Sequence, residues 1–404
     1  MTTTLTQADE TATPATQYSL WDLVAYFTRL GTLGFGGPVA LVGYMHRDLV
    51  EKRKWISESE YKEGLTLAQL MPGPLAAQLS IYLGYVHYSL IGATLVGVAF
   101  VLPSFLMVLA ISWAYVAYGG LPWMQAVFYG VGPCVIAIIA ISAYKLTKKT
   151  IGRDPVLWPI HLTCVVVIVV TESEWIALFL LAGVITWLIK RPPKRLNAAT
   201  IPLLAAVPLL TTTAPVSIPA ASLLWQITWF FTKAGAFVFG SGLAILPFLY
   251  GGVVKEYGWL SDQQFLDAVA VAMITPGPVV ITVAFIGFLV AGLSGAVLAA
   301  LGTFISCYFF TIVPAPYFKK HGKRPGIVAF VDGVTAAAVG AIAGAVIVLA
   351  RRMLLGESSI PDVPKLAFLA VTPAILLRYK KLPEPIVVLC AAAAGLLIYP
   401  LVKS

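Results

Sequence analysis

The sequence predicts an all-α polytopic membrane protein, built as an inverted-topology repeat with re-entrant helix hairpins broken at Gly and Pro. Three observations predict it. The chain is 59% hydrophobic and 11% charged, against about 25% charged for a soluble domain, and its mean hydropathy is +0.89. Its halves repeat at an offset of 204 residues, pairing Trp21 with Trp225, Phe27 with Phe231, Gly31 with Gly235, Phe35-Gly36 with Phe239-Gly240, Trp55 with Trp259 and Pro72-Gly73-Pro74 with Pro276-Gly277-Pro278. The excess of Lys and Arg also changes sides between the copies, which the positive-inside rule reads as inversion.

Each element follows from its local pattern. Residues 1–20 are polar and lack a basic start with an apolar core, so they read as a disordered cytoplasmic tail and not a signal peptide. Residues 21–34 are apolar and helical in pattern but half a span long, stopping at Gly34-Phe35-Gly36-Gly37-Pro38 before a second short piece, 39–50. Gly frees the backbone and Pro withholds a donor, so a helix ends and restarts there. Pieces 63–71 and 75–86 flank the first Pro-Gly-Pro, and full spans follow near 91–115 and 123–144. These make a first repeat, 21–152. Connecting spans near 156–171, 174–190 and 198–211 occupy 153–221. The second repeat, 222–352, gives pieces 222–239, 243–254, 263–274 and 279–291, then spans near 294–316 and 327–350. Two further spans, 366–379 and 384–401, fill 353–404.

Loop charge tests the orientation. The loop 46–62 carries five Lys/Arg and its counterpart 250–266 only Lys255, whereas 118–122 carries none and its counterpart 319–324 carries four. The first repeat's hairpins therefore enter from the cytoplasm and the second's from outside. Arg351 and Arg352 fall on the outer side in this scheme, against the rule.

Irregular backbone at membrane depth must line a cavity or be buried in protein, and paired broken helices point to a transporter's substrate site. Half-helix N-termini offer unpaired N–H groups and a positive dipole end, an anion site. The candidate binding residues are Gly36, Gly37, Pro38, Pro72, Gly73 and Pro74 with Gln69 and Gln78 in the first half, and Gly240, Ser241, Gly242, Pro276, Gly277 and Pro278 with Thr275 and Thr282 in the second. Arg29 and Lys233 each lie six residues before the central Phe-Gly. A cation there is a functional hypothesis, suited to a dianion, or a side chain snorkelling to the interface. Glu63, Asp267 and Asp332 are candidates for proton coupling; the first two serve equally as helix caps or ion-pair partners. Trp55 and Trp259, ahead of Ser57 and Ser261, read as interface anchors plus N-caps.

Several classes are excluded or demoted. The net charge of +9 sits in short loops, with no soluble domain to hold a nucleic-acid face. Cys134, Cys164, Cys307 and Cys390 form neither a metal-ligand spacing nor a disulfide pattern. No HExxH, nucleophile set or phosphate loop suggests an enzyme, a metal or a cofactor. An anion channel remains the alternative architecture.

The run Arg29-Leu30-Gly31, Phe35-Gly36-Gly37-Pro38, Trp55, Ala68-Gln69-Leu70-Met71-Pro72-Gly73-Pro74 and Gly84-Tyr85 resembles the first repeat of the long, two-repeat chromate ion transporter family. Phe239-Gly240-Ser241-Gly242, Pro247, Trp259-Leu260-Ser261, Pro276-Gly277-Pro278 and Phe285-Ile286-Gly287 resemble its second. The resemblance covers about 20–350. It implies chromate efflux across the cytoplasmic (inner) membrane, driven by the membrane potential or a proton gradient, and hence chromate resistance. Sulfate, of similar shape and charge, or another oxyanion is the alternative substrate; a homodimer is left open. The family pattern is asymmetric here, since Met273 stands where the first repeat has Gln69.

Overall fold

Serines set the helix starts in both copies. Ser19 caps the first helix, and Ser57 and Ser261 close full capping boxes with Glu60 and Gln264, satisfying first-turn N–H groups that would otherwise be orphaned. The computed structural model describes residues 18–35, 37–118, 122–172, 176–191, 220–236, 238, 242, 245–317, 325–355, 362–379, 382 and 384–403. Every regular element among them is helical. The first half contains α1 (Leu20–Leu33), α2 (Gly37–Met45, widening into a π-helical turn at His46–Lys52), α3 (Glu58–Leu70), α4 (Leu75–Tyr118), α5 (Pro122–Thr150), α6 (Leu157–Thr171) and α7 (Ile176–Lys190). The second contains α8 (Ala220–Ala236), α9 (Ile245–Tyr250, widening at Gly251–Glu256), α10 (Asp262–Ile274), α11 (Thr282–Ile312, entered by a 3-10 turn Val279–Ile281), α12 (Pro325–Leu355), α13 (Val363–Arg378) and α14 (Glu384–Lys403). Five described helices are long and apolar enough to cross a membrane. The chain is a multi-pass membrane protein. The expected span at 198–211 and the basic run 319–324 lie outside the described residues.

The short pieces are hairpin arms. Gly64 lies against Tyr82 on either side of Pro72-Gly73-Pro74, so α3 and the start of α4 fold back on each other. Helix α4 then reverses again at Tyr88–Ser89, where Ser89 has φ 52° and ψ −149°; α11 reverses at Ala291–Gly292, where Gly292 has φ 60° and ψ −149°. A Cβ on Gly84 would come 2.5 Å from the Gly92 carbonyl oxygen, so the arms 75–87 and 90–118 run antiparallel in close contact. The second copy makes the same turn with a glycine, which carries no Cβ penalty at positive φ, while Ser89 bears that strain.

The two copies stand opposite ways up. The Tyr88 hydroxyl donates to the Tyr18 carbonyl at 2.5 Å, and Tyr18 stacks on Trp55 at 4.7 Å beside the Ser57 cap. At the far end of the 90–118 arm, about 40 Å away at 1.5 Å per residue, the Tyr115 hydroxyl donates to Asp267 at 2.8 Å, on the helix that Ser261 caps. One arm therefore joins the capped end of one repeat to the capped end of the other. Packing obeys the same exchange: α5 lies against α13 and α14, and α12 against α6 and α7.

Ion pairs line both ends. At the first are Arg47 and Lys52 on Asp48, Lys62 on Glu58 and Lys190 on Asp154, with Arg53 over Trp55. At the second, Lys255 and Arg352 meet on Glu172, Arg352 reaches Asp262 at 3.2 Å, and Lys365 lies on Asp362. Arg352, one of the two residues that run against the charge rule, is thus neutralised by its neighbours, while Arg351 is exposed. Burial pushes the Glu172 carboxyl up, but Lys255 and Arg352 prevail and hold it below the ordinary glutamate range.

Three outcomes are expected. Cysteines at 53 and 258, in a background with Cys134, Cys164, Cys307 and Cys390 replaced by serine, label from opposite faces of the membrane; labelling from one face contradicts the inversion. Ser89→Gly raises thermal stability by about 1 kcal/mol, read from the melting midpoint in detergent, because it relieves a strained φ. Glu172 stabilises the fold at neutral pH and loses that contribution as pH falls below the ordinary glutamate range through its lowered value; Glu172→Gln flattens this acid limb of the stability profile.

Candidate functional site

The breaks meet in the middle of the molecule. Gly73 N–H, at the tip of the first Pro-Gly-Pro hairpin, donates to the Val238 carbonyl at 2.5 Å; Gly277 N–H, at the tip of the second, donates to the Gly34 carbonyl at 2.9 Å. Gly34 and Val238 are repeat mates, so each tip hydrogen-bonds the loop after the opening helix of the opposite repeat. Pro38 also comes to 3.8 Å from where a Gly242 Cβ would lie, bringing the α1–α2 loop of one copy to the α8–α9 loop of the other. Gly36, Gly240 and Ser241 lie outside the described residues.

Both tips require glycine. Gly73 has φ +143° and Gly277 φ +97°. A Cβ on Gly73 would strike the Gln78 amide at 2.7 Å, and one on Gly277 would strike the Ser104 hydroxyl. Beyond each tip a helix begins with its N-terminus at the junction. In α4 the first backbone bond is Gln78 N–H to the Pro74 carbonyl, 2.9 Å, which leaves the N–H groups of Leu75, Ala76 and Ala77 as first-turn donors. In α11 the first is Ile281 N–H to Pro278, 3.0 Å, in a tighter 3-10 turn.

The polar side chains face away from this role. The hydroxyls of Thr275 and Thr282 donate to the Val271 and Val279 carbonyls within their own helices. Gln78 is fully buried; its Nε2 donates to the Pro72 carbonyl at 2.7 Å, and its Oε1 has no hydrogen-bond partner among the described residues. Gln69 is exposed. What the junction offers a bound group is therefore backbone N–H, the positive ends of two short helices, and no fixed charge from the tips themselves. Among the described residues no cluster of His, Cys, Asp and Glu could hold a metal ion.

The expected cations flank the junction. Arg29 lies on the exposed face of α1, opposite the face formed by Leu23, Phe27, Leu30 and Gly31. Lys233 is half-buried, its Nζ 5.9 Å from the Trp229 ring centroid. Each is five residues, about 7–8 Å along a helix axis, before Gly34 or Val238. The acids are spread out. Glu63 approaches Tyr82. Asp267 is 4% exposed and accepts from Tyr115 and from Gln263 Nε2 at 2.7 Å. Asp332 sits 3.5 Å from Lys190 at the first end. Neither Glu63 nor Asp267 caps its helix, since Ser57 and Ser261 do so. Asp267 also lines a cavity of about 820 Å³ at the second end, with Tyr115, Tyr129, Gln263, Asp362 and Lys365.

Sequence reasoning passed over Glu384. It stands first in α14 and lines a small cleft at the junction together with Gly34, Gly37, Thr275 and Gly277. The signal available was an acid opening an apolar span, which reads equally as an ordinary first-turn carboxylate.

The profile of the Chromate transporter family matches residues 21–187 and 225–396. The chain is 66% identical to the "Chromate transport protein" of Cupriavidus metallidurans over 387 residues, covering 96% of this chain and 95% of the relative. It is 62% identical to the "Probable chromate transport protein" of Synechococcus elongatus, covering 95% and 96%, and 31% identical to the "Chromate transport protein" of Pseudomonas aeruginosa, covering 94% and 92%. No solved structure matches the chain.

The tip geometry yields a graded expectation. Gly73→Ala and Gly277→Ala lower stability by about 1–3 kcal/mol through forbidden φ and overpacking. Gly37→Ala, where a Cβ meets open space but φ is +74°, costs about 1 kcal/mol. Equal melting shifts for all three would show that the junction is not tightly packed.

Proposed function

The chain belongs to the chromate transporter family, and from that premise we propose that it is a secondary transporter exporting chromate across the cytoplasmic (inner) membrane. Transport is driven by the membrane potential, a proton gradient or both, and confers chromate resistance. The observation that carries this reading is the junction itself: two helix N-termini from opposed repeats, held tip to loop by reciprocal hydrogen bonds. Such a site suits a tetrahedral dianion, which needs many weak donors rather than one strong one. Moving two negative charges outward is favoured by about 4.6 kcal/mol per 100 mV, inside negative, so the potential alone is an adequate drive. This is transport, not catalysis.

In this reading the backbone of Gly37, Pro38 and Pro72–Pro74, and of Gly242 and Pro276–Pro278, forms the binding junction, and Gln78, Thr275 and Thr282 shape it while their polar groups bond within their own segments. Arg29 and Lys233 attract the anion along its path, and the hairpins are re-entrant. The cation-rich first end faces the cytoplasm. Among the described residues each repeat takes in seven helices, α1–α7 and α8–α14. The matched ranges and the exchanged packing of α5 and α12 support this wider unit over repeats ending at 152 and 352.

The test is chromate uptake into everted vesicles, with sulfate as competitor and with potential and pH gradient imposed separately. Uptake is expected under an imposed potential that favours anion entry. Arg29→Gln or Lys233→Gln is expected to lower it roughly tenfold or more, the effect of one lost charge at low dielectric, with membrane insertion unchanged. Full activity in both variants removes the paired cations from the account; no chromate flux in wild-type vesicles removes the function.

A further inference from the structure

The three acids singled out from sequence all have company, whereas Glu384 has no hydrogen bond or ion pair among the described residues. Its position is unlike theirs. It lines the cleft that opens onto Gly34, Gly37, Thr275, Gly277 and Val279, the loop and tip that bond across the repeats. Resting on the reading of this junction as the chromate site, we propose that Glu384 is a resident competitor for it. Its carboxylate and the substrate dianion exclude each other, so chromate binding takes up one proton onto Glu384 and chromate release returns it.

The surroundings favour this exchange. The tips carry no charge, and Glu384 is the one charged residue among the described residues that line this cleft. Two like charges in a poorly solvated cleft repel strongly, and protonation of the carboxyl is the way to remove one of them without moving the backbone. The opposite signs nearby are few. From α5, Lys145 attracts Glu384 but is itself exposed. From α10, the contacting residues are Ala272 and Met273. From α13, Arg378 lies 6.0 Å from the Tyr379 ring centroid.

The experiment measures chromate binding to the purified full-length protein in detergent, across a range of pH, for wild type and Glu384→Gln. Using the same chromate solutions for both cancels the ion's own protonation. Proton uptake on binding is read in weak buffer with a pH dye. Glu384→Gln is expected to bind chromate at least about tenfold tighter at alkaline pH, where wild-type Glu384 is charged. The ratio falls toward one as pH drops, and the variant takes up about one proton fewer per chromate bound. A ratio that stays flat with pH, or equal proton uptake, overturns the proposal. If Glu384→Gln does not survive purification, Glu384→Ala is read the same way, and Glu384→Asp is expected to keep the wild-type pH dependence. Absence of chromate binding in every form at every pH overturns the chromate site itself, a distinct result from a flat ratio.

Discussion

Two backbone hydrogen bonds organise this molecule: Gly73 to Val238 and Gly277 to Gly34. Each is worth only about 1 kcal/mol net, but their placement decides the rest. Both donors sit at tips of hairpins, and both acceptors sit in loops where a helix has just ended. Buried backbone groups must find partners, and these find theirs in the opposite repeat. The inversion therefore supplies the partners that broken helices lack in an apolar medium. It also draws two helix N-termini to one point. The long arms 90–118 and 293–312 follow from this, running antiparallel past each other with Thr94 and Tyr308 joined by a 2.9 Å hydrogen bond.

The symmetry holds in outline and fails in detail, and the failures carry meaning. Gln78 folds its amide over the first tip, while its mate Thr282 turns its hydroxyl back into its own helix. The first tip leads into an α-helix and the second into a 3-10 turn. Between the hairpins, His46 bonds Glu58 at 2.9 Å in one copy; in the other, Tyr250 donates to Asp262 at 2.5 Å. A pair of identical halves would give an outward and an inward state of equal energy. Unequal latches and unequal tips remove that degeneracy.

Much of this was legible in the chain. The Gly and Pro breaks located both hairpins because those residues change what backbone can do, and loop charge located the inversion because cations are retained on one side. The caps were legible too, since Ser57 and Ser261 precede an acid or amide at the spacing of a capping box. Other features were hidden for physical reasons. The reversal at Ser89 has no glycine to announce it; only its mate Gly292 does. The pairing of Tyr115 with Asp267 spans 152 residues, and no local pattern encodes a contact of that range. Arg29 was readable as a cation near the break, but which face of α1 it occupies depended on the packing of Gly31 against the Phe100 backbone. Glu384 was hidden because its significance lies in what three other segments bring to it.

The central claim is that one anion site is shared by both tips. Amide hydrogen exchange with and without chromate, on protein in lipid nanodiscs, tests it most directly. With chromate bound, peptides covering 73–79 and 277–283 are expected to gain protection together and with the same chromate dependence, as first-turn N–H groups of both helices become bonded. Protection confined to one repeat, or to the cavity around Asp267 with neither tip affected, would contradict it.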